Sequence, residues 1–274
     1  MLRPRLRQSV FYNREPEIFS IRLALPLMLL LLAAPNLEAS DLAKEQRWAD
    51  QIVGMLIDGD PVWLEAGSQR FLTIYTEAQS GNLKRGVILM HGIGVHPNWD
   101  KVIYPLRTGL AERGMPTLSL QMPILRNEAE AIEYAPLMAE VDPRIDAGIR
   151  FLKAKGVQQI VIAGHSMGAT MAAYYLAGGG RDVGAFVAIG MGGRADDPRM
   201  DVVSFLRKIQ IPVLDLYGSN DLPQVLKGVE QRAAAARAAG NTGYRQVRVE
   251  GADHFFDGKN DALLDTVSGW LKAP

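Results

Sequence analysis

The stretch IVIAGHSMGATMAA, residues Ile160 to Ala173, decides the fold. Four apolar residues, Ile160 to Ala163, read as a strand buried on both faces. The run after Gly168 is rich in Ala and Met and reads as a helix. Between them stands Gly164-His165-Ser166-Met167-Gly168. A sharp strand-to-helix turn forces the backbone of its central residue into a strained conformation. Side chains on the flanking residues would then clash, so Gly164 and Gly168 make room. The hydroxyl of Ser166 is lifted clear of the sheet, and the N-terminal amides of the helix face the same spot. This is the layout of a nucleophile elbow, G-x-S-x-G.

Outward from the elbow, short apolar runs alternate with helical periodicity. Strands are expected at Phe71 to Glu77, Val87 to Met90, Thr117 to Gln121, Gln159 to Ala163, Ala185 to Ile189, Val213 to Tyr217 and Tyr244 to Glu250. Helices are expected at Leu42 to Ile57, Asp100 to Arg113, Leu137 to Lys155, Gln224 to Ala239 and Asp261 to Leu271. Alternation of this kind argues for an α/β fold, a mostly parallel central sheet flanked by helices on both faces. Neither an internal repeat nor a linker divides the chain after its N-terminal segment, so 40–274 is expected to form one domain.

A serine hydroxyl is a weak nucleophile and needs a base. The chain has four histidines. His165 lies inside the elbow and is expected to point elsewhere. His91 and His96 lie far upstream. His254, in EGADHFFDG after the last strand, satisfies the order Ser, acid, His that this architecture requires. The acid must fall between them at a strand end. Asp221 in YGSNDLP does so; Asp215, inside the strand, is the competitor. An oxyanion hole needs two backbone N–H donors. Met167 supplies one, and Ile93 in the loop HGIG, opened by Gly92 and Gly94, is expected to supply the other.

These residues together resemble the α/β-hydrolase superfamily, over roughly Val87 to Leu271. The resemblance rests on HGIG, GHSMGA, GSND and GADH in that order. It points to a small bacterial branch carrying export signals, and it implies a serine hydrolase acting through an acyl-enzyme. An esterase on carboxylic or thioesters is the leading reading. An amidase or peptidase, or a non-catalytic binding protein of the cell envelope that keeps the fold, remain alternatives. Many relatives insert a helical cap after the strand that ends near Gly192. Here only GGRADDPRMDVVSFLRKIQ intervenes, so the site is expected to be open or minimally covered. Tyr134, Leu137 and Met138, in the segment Ile124 to Pro143, are the residues expected to form a substrate wall.

Composition narrows the partners. Lys plus Arg equals Asp plus Glu at 30 each, so no charge imbalance points to nucleic acid. With no cysteine, disulfides, thiolate metal sites and a cysteine nucleophile are all excluded. No histidine–carboxylate set has metal-ligand spacing and no glycine run has dinucleotide spacing, so neither metal nor cofactor is expected. The N-terminus reads as a secretory signal. Five arginines precede the uncharged LALPLMLLLLAA, and the expected cut follows Ala39. The protein is expected to be exported, periplasmic or secreted. The alternative is an uncleaved segment that tethers it to the inner membrane.

Overall fold

The computed structural model describes residues 40–272 apart from residue 82, all within one compact unit. The expected signal segment, 1–39, lies outside the described residues. The element order is α1 (Leu42–Met55), β1 (Asp60–Ala66), β2 (Gln69–Thr76), β3 (Arg85–Met90), α2 (Ile103–Glu112), β4 (Thr117–Leu120), a 3-10 helix (Ala131–Glu140), α3 (Val141–Ala154), β5 (Gln159–His165), α4 (Met167–Ala177), β6 (Val183–Ile189), α5 (Val202–Leu206), β7 (Val213–Asn220), α6 (Pro223–Lys227), α7 (Val229–Ala238), β8 (Tyr244–Asp253) and α8 (Asn260–Lys272).

The strands form one eight-stranded sheet in the order β1-β2-β4-β3-β5-β6-β7-β8. Only β1–β2 and β2–β4 pair antiparallel; the others are parallel. Side chains alternate between faces with period two. Ile88, Met90, Ile160 and Ile162 enter the core on one side; Val87, Leu89, Val161 and Ala163 enter the core on the other. Both faces are therefore filled, which is why these strands read as unbroken apolar runs.

Three local expectations need correction. The first strand, β1, has no sequence signal, because Asp60-Pro61 opens it and Glu65 interrupts it. It is an edge strand, where a missing N–H and outward charges are tolerated. The helix expected from Leu137 begins as a 3-10 helix, with Pro136 inside it, before α3 takes over at Val141. The helix expected over Gln224–Ala239 is two, α6 and α7, separated at Gly228.

Candidate active site

Ser166 connects β5 to α4 with φ 55° and ψ −119°. That left-handed φ is costly for a residue with a side chain, of order 1–3 kcal/mol, and persists only where the surroundings impose it. Here they do so by contact. A Cβ on Gly164 would lie 2.5 Å from the carbonyl oxygen of Gly168, and one on Gly168 would lie 2.3 Å from that of Met90. Ser166 N–H donates to Ile189 O at 2.8 Å, which ties the turn to β6.

Register brings in the other two groups. Asn220 on β7 pairs with Asp253 on β8 past an irregularity after Gly218. The next residue on each strand is Asp221 and His254, so the two emerge side by side. His254 Nδ1 lies 2.6 Å from Asp221 Oδ1, and His254 Nε2 lies 3.0 Å from Ser166 Oγ. Asp221 also accepts the backbone N–H groups of Leu222 at 2.8 Å and Gly218 at 3.2 Å. Burial works to raise its pKa. The hydrogen bond and charge of His254, with those two amides, outweigh burial and leave the carboxyl below its usual value. The competing acid, Asp215, sits six residues earlier with its side chain fully buried. There it accepts Arg232 Nε at 2.8 Å, the Tyr244 hydroxyl at 2.6 Å and Gln246 Nε2 at 2.9 Å.

Ile93 and Met167 both line the same cavity as Ser166 and His254. Met167 opens α4, so its N–H has no intrahelical acceptor. Among the described residues, Ile93 N–H also has no backbone acceptor. The loop that carries Ile93 presses close to the elbow: a Cβ on Gly92 would lie 3.0 Å from Ser166 Cβ, and Gly94 takes φ +71°. His91 pins this loop from behind. Its Nε2 accepts Met122 N–H at 2.9 Å, leaving Nδ1–H to donate to Gly92 O at 2.9 Å. Burial depresses its pKa to about 3, so the ring is neutral at physiological pH.

Two readings of site residues change. His165 does not point away from the site. Its ring centroid is 4.9 Å from that of His254, and its Nε2–H donates to His254 O at 2.9 Å. Burial, then the neighbouring charge of His254, pulls its pKa down to about 4. Tyr134, Leu137 and Met138 do not line the cavity. They are buried in the core, and the segment reaches the cavity through Glu130 and Ala131 instead. The three lie on the face of the 3-10 helix that packs into the core. The short connection after β6 supplies wall through Arg194 and Met200, with no inserted cap.

Sequence reasoning also missed the aromatic surround. Trp99 lies 5.4 Å from His165, and Phe255 lies 5.3 Å from His254 and 5.7 Å from Trp99, all as ring centroids. Nothing local signals such a cluster, since its members come from the end of β5 and from the loops after β3 and β8. The cavity they edge has a volume of about 520 Å³. Among the described residues no group of three or more acids and histidines is placed to hold a metal, and no helix is long and apolar enough to cross a membrane.

The sheet order, the elbow at the end of β5 and the loops at the strand ends define an α/β-hydrolase fold. The chain belongs to the family described as Protein of unknown function (DUF3530), whose model matches residues 32–142 and 132–273. Solved structures share the fold at low identity. A dienelactone hydrolase from Anabaena variabilis superposes with a TM-score of 0.64 and 21% identity, covering 78% of this chain and 96% of its own. An esterase, Pf2001 of Pyrococcus furiosus, gives 0.64 and 16%, covering 78% and 92%. Est1E from Butyrivibrio proteoclasticus gives 0.57 and 15%, covering 79% and 100%. No curated protein sequence matches the chain.

Proposed function

We propose that the protein is a serine hydrolase acting on carboxylic esters or thioesters through an acyl-enzyme. The observation that carries this is the continuous contact from Ser166 Oγ through the His254 ring to Asp221, at 3.0 and 2.6 Å. Ser166 Oγ attacks the carbonyl carbon while His254 Nε2 takes its proton. The carbonyl oxygen becomes an oxyanion facing the N–H groups of Ile93 and Met167; each such donor is worth about 2.7–4 kcal/mol in the transition state. The intermediate collapses, the bond to the alcohol or thiol breaks, and His254 returns the proton to that leaving group. Water then attacks the acyl-Ser166, giving its proton to His254, and the acid is released as the proton returns to Oγ. Asp221 keeps Nδ1 protonated and offsets the imidazolium charge in both halves. The low pKa of Asp221 supports this role, because it stays anionic throughout the neutral range.

The test is intact-mass measurement after incubation with a fluorophosphonate, on the wild type and on Ser166→Ala. One adduct on the wild type and none on the variant is expected. A folded wild type without adduct would refute the proposal and leave a binding protein that keeps the fold. We also propose export. This rests on the basic lead and apolar run before Ala39. N-terminal sequencing of protein from the envelope fraction should begin at Ser40; an intact N-terminus in the membrane fraction would instead mean an anchor.

A further inference from the structure

Seven large apolar side chains are exposed among the described residues, and two of them, Leu222 and Phe255, line the cavity. Phe255 is the notable one. It directly follows His254, it is 42% exposed, and it lines the cavity. Its neighbour Phe256 is fully buried at φ 55°. The Asp253 carboxylate holds the turn by accepting the N–H groups of Phe255 at 3.0 Å and Asp257 at 3.1 Å. The strained turn therefore sends one ring into the core and holds the other out, beside the imidazole. Trp99 meets Phe255 edge-on at 82°, and Lys101 Nζ stands 5.6 Å above the ring, held by Asp257 at 2.6 Å. An aromatic ring this exposed and this well fixed is an unfilled contact surface.

The proposed chemistry decides what meets it. The leaving oxygen must come within hydrogen-bond reach of His254 Nε2 to receive its proton. The carbons attached to that oxygen then lie within a few ångströms of the imidazole, where Phe255, Trp99 and Leu222 form the wall. We infer that Phe255 and Trp99 are the binding site for the alcohol half of the ester, and that the preferred substrates carry a flat aromatic alcohol. This rests on the serine-hydrolase reading above, and it adds the substrate class.

The experiment compares benzyl butanoate with cyclohexylmethyl butanoate, which share the acyl group and alcohol carbon count and differ in flatness and aromaticity. The wild type should favour the benzyl ester in kcat/KM by about tenfold, the scale of one well-placed aromatic pair. Phe255→Ala should bring that ratio close to one, chiefly through KM for the benzyl ester. Phe255→Tyr should keep the ratio. Fluorophosphonate labelling of the Phe255→Ala protein reports separately that Ser166 is still activated. Labelling with no benzyl preference in the wild type would overturn this inference and leave the hydrolase reading intact. So would a Phe255-dependent preference that follows an aromatic acyl group instead, read with ethyl phenylacetate against ethyl cyclohexylacetate. A wild type that neither labels nor hydrolyses either ester overturns both.

Discussion

Two aspartates on one strand and its exit loop should fail in opposite ways when mutated. Asp215 is fully buried and binds Arg232, Tyr244 and Gln246 through one oxygen. Asp215→Ala strands the Arg232 guanidinium, itself fully buried, with Val225 O as its remaining acceptor. Breaking a buried pair by removing one partner costs about 3–5 kcal/mol. Asp215 Oδ1 and Arg232 Nη2 lack protein partners, which lowers the worth of the intact pair but not the cost of breaking it. At about 2–4 °C per kcal/mol for a domain of this size, Tm should fall by roughly 6–20 °C. Asp221→Asn removes a charge at the edge of the site instead. It should lower kcat by about four orders of magnitude, as expected when the imidazole loses its orienting carboxylate. Its Tm should move by only a few degrees. The assay is thermal unfolding followed by circular dichroism, paired with active-site titration at low temperature, where folded Asp215→Ala should label normally. Loss of labelling in a thermally unchanged Asp215→Ala protein, or a fully active Asp221→Asn, would reverse the assignment.

Stability should also fall in mild acid. His91 and His165 are neutral in the fold at folded pKa values of about 3 and 4, against 6.5 in the unfolded chain. Below 6.5 the unfolded chain therefore binds more protons. The stabilisation is whole above that pH and is lost as pH drops toward the folded values. With a limiting slope of about 1.36 kcal/mol per unit for each ring, reached only well below pH 6.5, the two together lose about 3 kcal/mol between pH 6.5 and 5. Urea unfolding at several pH values measures this, and His165→Asn should remove about half of the slope. His165→Leu leaves the carbonyl of His254 without its donor, so kcat should drop about tenfold or more with KM little changed; His165→Gln, which can still donate, should recover part of it. A full-rate His165→Leu enzyme would mean that the ring only fills space. Gly168→Ala drives a methyl group against the carbonyl oxygens of Met90 and His91, at 2.3 and 2.5 Å. It should destabilise the protein by about 1–3 kcal/mol or more and abolish labelling; an active, stable variant would show that the elbow relaxes.

How much of this could be read from the chain depends on the range of the interaction concerned. Parallel strands buried on both faces announce themselves, because every residue of Val87–Met90 or Ile160–Ala163 must be apolar. An edge strand such as β1 needs no such pattern and left no signal. The elbow is legible because its strain sits at Ser166 and the Gly164 contact falls on Gly168 within the motif, although Gly168 itself makes room for Met90 and His91 on the neighbouring strand. Chain order was enough to pick out His254 among four histidines.

Asp221 was the expected acid from its place past the strand end, but its meeting with His254, the inward turn of Tyr134, Leu137 and Met138, and the placing of His165 against His254 were not set at that range. The first depends on the register of β7 against β8, which sets Asn220 opposite Asp253. The second depends on which face of the 3-10 helix packs into the core. The third, like the ring cluster with Trp99 and Phe255, joins loops separated by as many as 156 residues, as in the pair Trp99–Phe255. By itself the sequence determined the alternating architecture and the turn at Ser166, because burial on two faces and backbone strain act on neighbours. Only the tertiary structure decided how Asp221 meets the histidine and what surrounds the pair, because those contacts exist only once separate strand ends are brought to one edge of the sheet.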